Sequence, residues 1–277
     1  MKTSYKVILS LTALVAAIIA AKGPPQWPSI LQRCSTEDPQ FEKCLKKVTT
    51  QALQRIAKGI PAVGIRPLDP LRDASFSMVT GRGPVIVNVH ASNVTVSGPS
   101  KVQLKKVAYD KKSSTYWIEG LHNYVKMVGN YRVKGNILVF PIDSSGTFEY
   151  EIRGALANHS MKVGSTTRDG NHGLINFDVK SIKNHKITLK DTTLGTEGSN
   201  AVNALVNNNW DVIAESLWDP MERVVRELYS TALKPLTKKF ALKDFFPPTL
   251  TGRTAAEAET VSEINEEPVS YSFSIHY

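Results

Sequence analysis

The chain has 277 residues, a formal net charge of +9, two cysteines and six histidines. That length buries a sizeable core, as one large domain or two small ones. Two cysteines and histidines scattered at His90, His122, His159, His172, His185 and His276 give no zinc-ligand spacing, so no metal site is expected. Aromatic residues that follow core periodicity argue against nucleic acid as a partner in spite of the charge.

Lys2 and Lys6 precede an apolar run over 7–21 that is interrupted only by Ser10 and Thr12 and ends in small residues. This is the pattern of a secretory signal peptide, residues 1–21, cleaved between residues 20 and 22. Read instead as a membrane anchor, its about 15 apolar residues fall short of the roughly 20 that span a bilayer. In a secreted chain Cys34 and Cys44 pair, closing a short loop worth roughly 2–3 kcal/mol. Two reduced core thiols would require a reducing compartment. Asn93-Val94-Thr95 and Asn158-His159-Ser160 are glycosylation sequons that agree with secretion, although such triplets also arise by chance.

A first helix is predicted over 39–58, with Asp38 as cap, Pro39 in the first helical position and Gly59 as the stop. Phe41, Leu45, Val48, Ala52 and Ile56 form its apolar face, and Lys43, Lys46, Lys47 and Arg55 turn elsewhere. Cys44 lies in this helix, so the bridge ties the N-terminal arm to it. The proline-rich stretch 59–71 excludes helix and reads as an extended crossing whose Ile60, Val63, Ile65, Leu68 and Leu71 pack on the core.

Between Phe76 and Leu189 the hydrophobic period changes from 3.6 to 2. Strands are predicted over 85–89, 94–96, 116–118, 125–133, 137–142, 148–152, 174–179 and 187–189, an antiparallel meander with short turns. Val125, Met127, Gly129, Tyr131 and Val133 point inward, and Lys126, Asn130, Arg132 and Lys134 outward. Lys180, Lys183, Lys186 and Lys190 continue a basic exterior.

Over 199–240 the period returns to 3.6, and roughly 42 residues would span about 60 Å as one helix. Its stripe runs Val202, Leu205, Val206, Trp210, Ile213, Leu217, Met221, Val224, Val225, Leu228, Ala232, Leu236 and Phe240. Ser199 is the predicted N-cap, and Asn207, Asn208, Asp211, Glu215 and Glu222 are placed on the wet face. Pro220 kinks this helix or starts a new one; the unbroken phase of the stripe favours a kinked continuous helix. A helix this long needs a curved, extended partner to cover its stripe, and the strands supply one.

These features together resemble the secreted insect takeout and juvenile hormone-binding protein family of the tubular lipid-binding superfamily. The matching marks are Cys34 and Cys44; Gly59-Ile60-Pro61 followed by Pro67-Leu68-Asp69-Pro70-Leu71; Tyr131-Arg132-Val133-Lys134-Gly135 leading into 137–142; Asn209-Trp210; and Phe245-Phe246-Pro247. Their order and spacing span residues 27 to 248. The resemblance implies an α+β fold in which a strongly curved antiparallel sheet wraps a long C-terminal helix and encloses an apolar tunnel for a small lipophilic ligand.

Tunnel candidates are Phe76, Val87, Val89, Met127, Tyr131, Val133, Val139, Phe148, Ile152 and Phe177 from the strands and Trp210, Ile213, Leu217, Met221, Val224 and Leu228 from the helix. A tightly packed core demands the same residue types. Met127 and Met221 suit an adaptable wall, and Tyr131 offers a polar handle to an ester, ketone or carboxylate. No nucleophile elbow, metalloprotease helix, phosphate-cradling loop or dinucleotide fingerprint is present, and Gly81-Arg82-Gly83 reads as a turn. The expectation is therefore a secreted, monomeric, non-enzymatic carrier of juvenile hormone, another terpenoid or a fatty-acid-like molecule. It would act without a cofactor and without catalytic residues.

Removing Lys2 and Lys6 with the leader leaves +7, with Lys101, Lys105, Lys106, Lys111 and Lys112 close together. The alternative function is accordingly a lipid-transfer or surface protein at anionic membranes. A plainly solvated cationic face is the simpler reading of the same residues. The domain is taken as 22–250, and the segment 251–277 as an acidic tail of net −4, mostly disordered. The alternation Tyr271, Phe273, Ile275, Tyr277 at its end suits addition to a sheet edge.

Overall fold

The computed structural model describes residues 27–80, 83–162, 174–191, 194–240, 242–250 and 271–274. The expected leader, most of the tail and the Gly81-Arg82 part of the predicted turn lie outside the described residues.

Helix α1 runs Phe41–Lys58. It starts two residues later than its sequence signals suggest, because Asp38 closes a turn of its own: its carboxylate accepts from Gln40 N (2.8 Å) and its carbonyl from Phe41 N (2.9 Å). The first helical bond then runs from Cys44 N to Gln40 O at 3.0 Å. Cys34 and Cys44 are bridged, with Cα atoms 5.9 Å apart, so the arm before α1 is pinned to its first turn. The crossing segment holds a single 3₁₀ turn at Pro61–Val63 and a bridge between Ile60 and Ile65. Its apolar side chains meet Leu31, Leu236 and Phe240 in a filled cluster.

The sheet has fewer and longer strands than the alternation suggests: β1 (Leu71–Val79), β2 (Val85–Ser97), β3 (Val102–Asp110), β4 (Thr115–Ile137), β5 (Phe140–Lys162) and β6 (Leu174–Asp191). These six are antiparallel and curve around the C-terminal helices. The meander holds for β4, β5 and β6. Along β4, however, β2 pairs with one half and β3 with the other, so β3 is a branch rather than a step in the series. A short strand β7 (Tyr271–Ser274) adds to the outer edge of β1 in parallel, Ala74 opposite Tyr271.

The long helical stretch divides into α2 (Gly195–Asn208) and α3 (Trp210–Thr237). The break is at Asn209, where the side-chain amide donates to Leu205 O (2.7 Å) in competition with the backbone ladder. Pro220 sits buried inside α3, which runs through it as its stripe phase predicts. Ser199 is not a cap. It lies one turn into α2, donates to Gly195 O (2.7 Å) and accepts from Asp191 N (2.9 Å). A short helix α4 (Leu242–Phe245) follows.

Two residues assigned to the wet face do different work. Asn207 meets both backbone groups of Ile187, accepting from N at 2.9 Å and donating to O at 2.7 Å, and Asn203 does the same at Leu189 (2.7 and 3.0 Å). Glu222 accepts from Val179 N at 2.9 Å. Along the edge strand β6, these side chains stand in for the missing neighbour strand.

A candidate ligand cavity between the helix and the sheet

The concave face of the sheet and the stripe of α2 and α3 do not close completely. They leave a cavity of about 310 Å³, at the lower end of the range usual for small-molecule sites. From α3 it is lined by Trp210, Ile213, Leu217, Met221, Val225 and Leu228, successive members of one helical face. From the strands come inward positions such as Phe76, Met78 and Val87, and Met127, Tyr131, Phe148 and Ile187.

The sequence candidates fall out as follows. Phe76, Val87, Val89, Met127, Tyr131, Val133, Phe148, Ile152, Phe177, Trp210, Ile213, Leu217, Met221 and Leu228 all line the cavity. Val139 does not: it is 84% exposed, in the tight turn joining β4 to β5, where a strand-like run is really a hairpin tip. Val224 is off the cavity too. It is 2% exposed and belongs to the buried cluster of Leu71, Ala74, Phe76 and Val94, which covers it from the void.

Tyr131 lines the cavity but is not a free polar handle. Its hydroxyl meets Ser144 Oγ at 2.7 Å and Asp191 Oδ2 at 3.3 Å, and Ser144 in turn donates to Asp191. Asp191 also accepts from Leu194 N (2.7 Å), so this group is a strap joining β4, β5, β6 and the start of α2. At the same end Trp210 packs at a tilt against Tyr150 (5.7 Å) and His185 (4.2 Å).

Sequence reasoning missed a polar cluster at the other end of the cavity. His122 is 7% exposed, lines the wall, and has Nε2 3.4 Å from Nε2 of His159. His159 packs on Phe177 (4.9 Å) and edge-on to Tyr229 (5.8 Å). Burial pulls His122 down to about 4 and His159 to about 3, the second also through the neighbouring imidazole. Both are therefore neutral near pH 7. Burial, and then the Asp69 carboxylate, pushes the Tyr229 phenol up to about 12.

The inward positions of β4 and β5 explain the miss. Those lining the cavity run Met127, Val125, then His122, and Ile152, then Ala155 and Ala157. Each series steps by three where strict alternation steps by two. Gly154, at φ 65°, stands at this crease, and a Cβ there would lie 2.8 Å from the Lys183 side chain. Strict alternation from Val125 points His122 outward; the crease turns it in.

On the outer surface Lys43, Lys46 and Lys47 of α1 face Lys105 and Lys106 of β3 across a depression that also includes Glu42. Lys111 is drawn off to Glu37 at 3.1 Å. Asn93 is exposed at a bulge of β2 with φ 52°, whereas Asn158 is half-buried within β5, paired to both neighbouring strands. No helix among the described residues is long and apolar enough to cross a membrane. Among the described residues no group of three or more His, Cys, Asp or Glu side chains could hold a metal ion.

Residues 10–247 match the family described as haemolymph juvenile hormone binding protein. The chain belongs to that family. Its fold is that of the crystal structure of Epiphyas postvittana Takeout 1, at TM-score 0.62 and 19% sequence identity over 78% of this chain and 99% of the other. A Schistocerca gregaria protein described as "Putative beta-carotene-binding protein" is 27% identical over 139 residues, 48% of this chain. The chain spans about half the length of that relative, 51%.

Proposed function

We propose that this protein is a secreted carrier that binds and solubilises one small hydrophobic molecule in the cavity between α3 and the sheet. The observation that carries this reading is the cavity itself, about 310 Å³ with a wall that is apolar apart from a few residues. Water gains little from so apolar a space, and an apolar ligand fills it without leaving polar groups unpaired. Hiding roughly 300 Å² of ligand surface at about 25 cal/mol per Å² yields about 7 kcal/mol before the entropy of association is subtracted. Family membership supports a binding protein, and the name of the locust relative supports an isoprenoid among the ligand classes.

In this reading residues 1–21 are the leader, 22–250 the ligand-binding domain and 251–277 the acidic tail. The bridged Cys34 and Cys44 suit an oxidising compartment, the exposed Asn93 suits a glycan, and the carrier works as a monomer without turnover. Displacement of N-phenyl-1-naphthylamine fluorescence by juvenile hormone, farnesol and palmitic acid tests it. Saturable one-to-one displacement by at least one of them, with no ester hydrolysis, is expected; failure of the dye and all three compounds to bind would refute the reading.

The lysine-lined depression between α1 and β3 favours a subsidiary role. Five like charges close together suit contact with anionic membrane surfaces during loading or delivery.

A further inference from the structure

The cavity wall is apolar except at a few side chains, and two of the polar ones, Tyr131 and Glu222, are engaged by hydrogen bonds. Tyr131 is held by Ser144 and Asp191, and Glu222 by the amide of Val179. His122 differs. Its Nε2 meets His159, but its Nδ1 is buried and has no hydrogen-bond partner among the described residues. A buried nitrogen left so is costly, and a ligand group that bonds to it recovers that cost. Its partner across the strand pair, Ala155, is small and lines the cavity with it.

We infer that His122 is the polar subsite of the cavity, and that the natural ligand is a long hydrocarbon body bearing one uncharged oxygen function, a hydroxyl or a carbonyl, which bonds to this imidazole. The inference rests on the carrier reading and names the ligand class within it.

The chemistry of the pair explains the choice of oxygen. Of two neutral imidazoles facing each other through Nε2, one donates and the other accepts. If His159 donates, His122 carries its proton on Nδ1 and offers it to a carbonyl or hydroxyl oxygen. If His122 donates, its Nδ1 is a lone pair and accepts a hydroxyl proton. Bonding to the ligand takes a turn of the ring about the soft χ2 torsion, which loosens the 3.4 Å contact with His159. A carboxylate is disfavoured, because it would lose its hydration beside neutral imidazoles and in the same wall as Glu222. A pure hydrocarbon would leave Nδ1 as it is.

The test compares farnesol, farnesal and the hydrocarbon farnesene by displacement of N-phenyl-1-naphthylamine from the wild-type protein and His122→Phe. The expected result is that the farnesol-to-farnesene and farnesal-to-farnesene affinity ratios fall about tenfold in the variant, while farnesene binds no more weakly than before. Ratios that are equal in the two proteins would overturn the subsite while leaving the carrier reading intact. No displacement of the dye by any of the three from wild-type protein would overturn both. A second readout needs no variant: in protein labelled with ¹⁵N-histidine, the His122 ring nitrogens shift on adding farnesal and not on adding farnesene. Unchanged shifts with bound farnesal would also overturn it.

Discussion

The two ends of the α3 stripe are built from the same kinds of residue and behave differently. Near the disulfide, Leu236 and Phe240 meet Ile60, Val63, Ile65 and Leu31 in a buried cluster, with Trp27 set edge-on to Phe240 (5.0 Å) and Phe245 (4.8 Å). Further back, Ile213, Leu217 and Met221 face the curved sheet across a gap. The difference lies in the partner. A crossing segment with a 3₁₀ turn packs its side chains against the helix, whereas the long hydrogen-bonded strands keep their ladders and leave a gap to it. Hydrophobic composition decides that a face is buried; the stiffness of what covers it decides whether a void remains.

The largest effect should come from cutting into the filled end. Ile65→Ala is expected to cost about 2–5 kcal/mol in denaturant unfolding. Leu217→Ala should cost clearly less, because its side chain already lacks neighbours on the cavity side. Equal costs would break the comparison.

Acid should act on the cavity end. Because burial holds His122 near 4 in the folded protein against 6.5 unfolded, the unfolded chain binds more protons between those values. Stability is then complete above about pH 6.5 and lost as pH falls toward 4, by about 3 kcal/mol for His122 alone. His159 lowers it in the same direction. Urea titrations from pH 7 to 4 should show this slope, and His122→Phe should flatten it; an unchanged slope in the variant would place the titration elsewhere.

Filling the gap should separate binding from folding. Leu217→Trp is expected to weaken dye binding at least tenfold at a stability cost under about 1 kcal/mol, whereas Ile65→Phe at the filled end should cost about 1–3 kcal/mol and leave dye binding unchanged. The smallest effect expected is at the surface. Lys105→Glu with Lys106→Glu should weaken binding to phosphatidylserine vesicles by about 1 kcal/mol per lysine at low salt, and leave dye affinity as it was. Vesicle binding that ignores both salt and these substitutions would remove the membrane role.

Much of this was legible in the sequence because each element keeps one period for long enough. The stripe from Val206 to Leu228 gave the helical face that lines the cavity, and Val125 to Val133 gave the phase of β4. Where the period fails, so does the reading. β3 went unseen because paired lysines at 105 and 106 sit at a register shift between Leu104 and Lys106, which breaks its alternation. His122 went unseen because the crease at Gly154 reverses the face of the neighbouring strand, and nothing local to His122 announces that. Asn203 and Asn207 look like solvent-facing residues; only the position of the β6 edge makes them strand substitutes. Val224 shows a finer limit: periodicity identifies the buried face of α3 but not which part of it meets a void.

Whether the gap exists to hold a molecule is decided by native mass spectrometry of the protein secreted from an insect cell line, followed by solvent extraction. One stoichiometric lipophilic adduct is expected, or its uptake when juvenile hormone, fatty acids or isoprenoids are offered, and loss of both in Leu217→Trp. A bare mass that takes up none of these would contradict it.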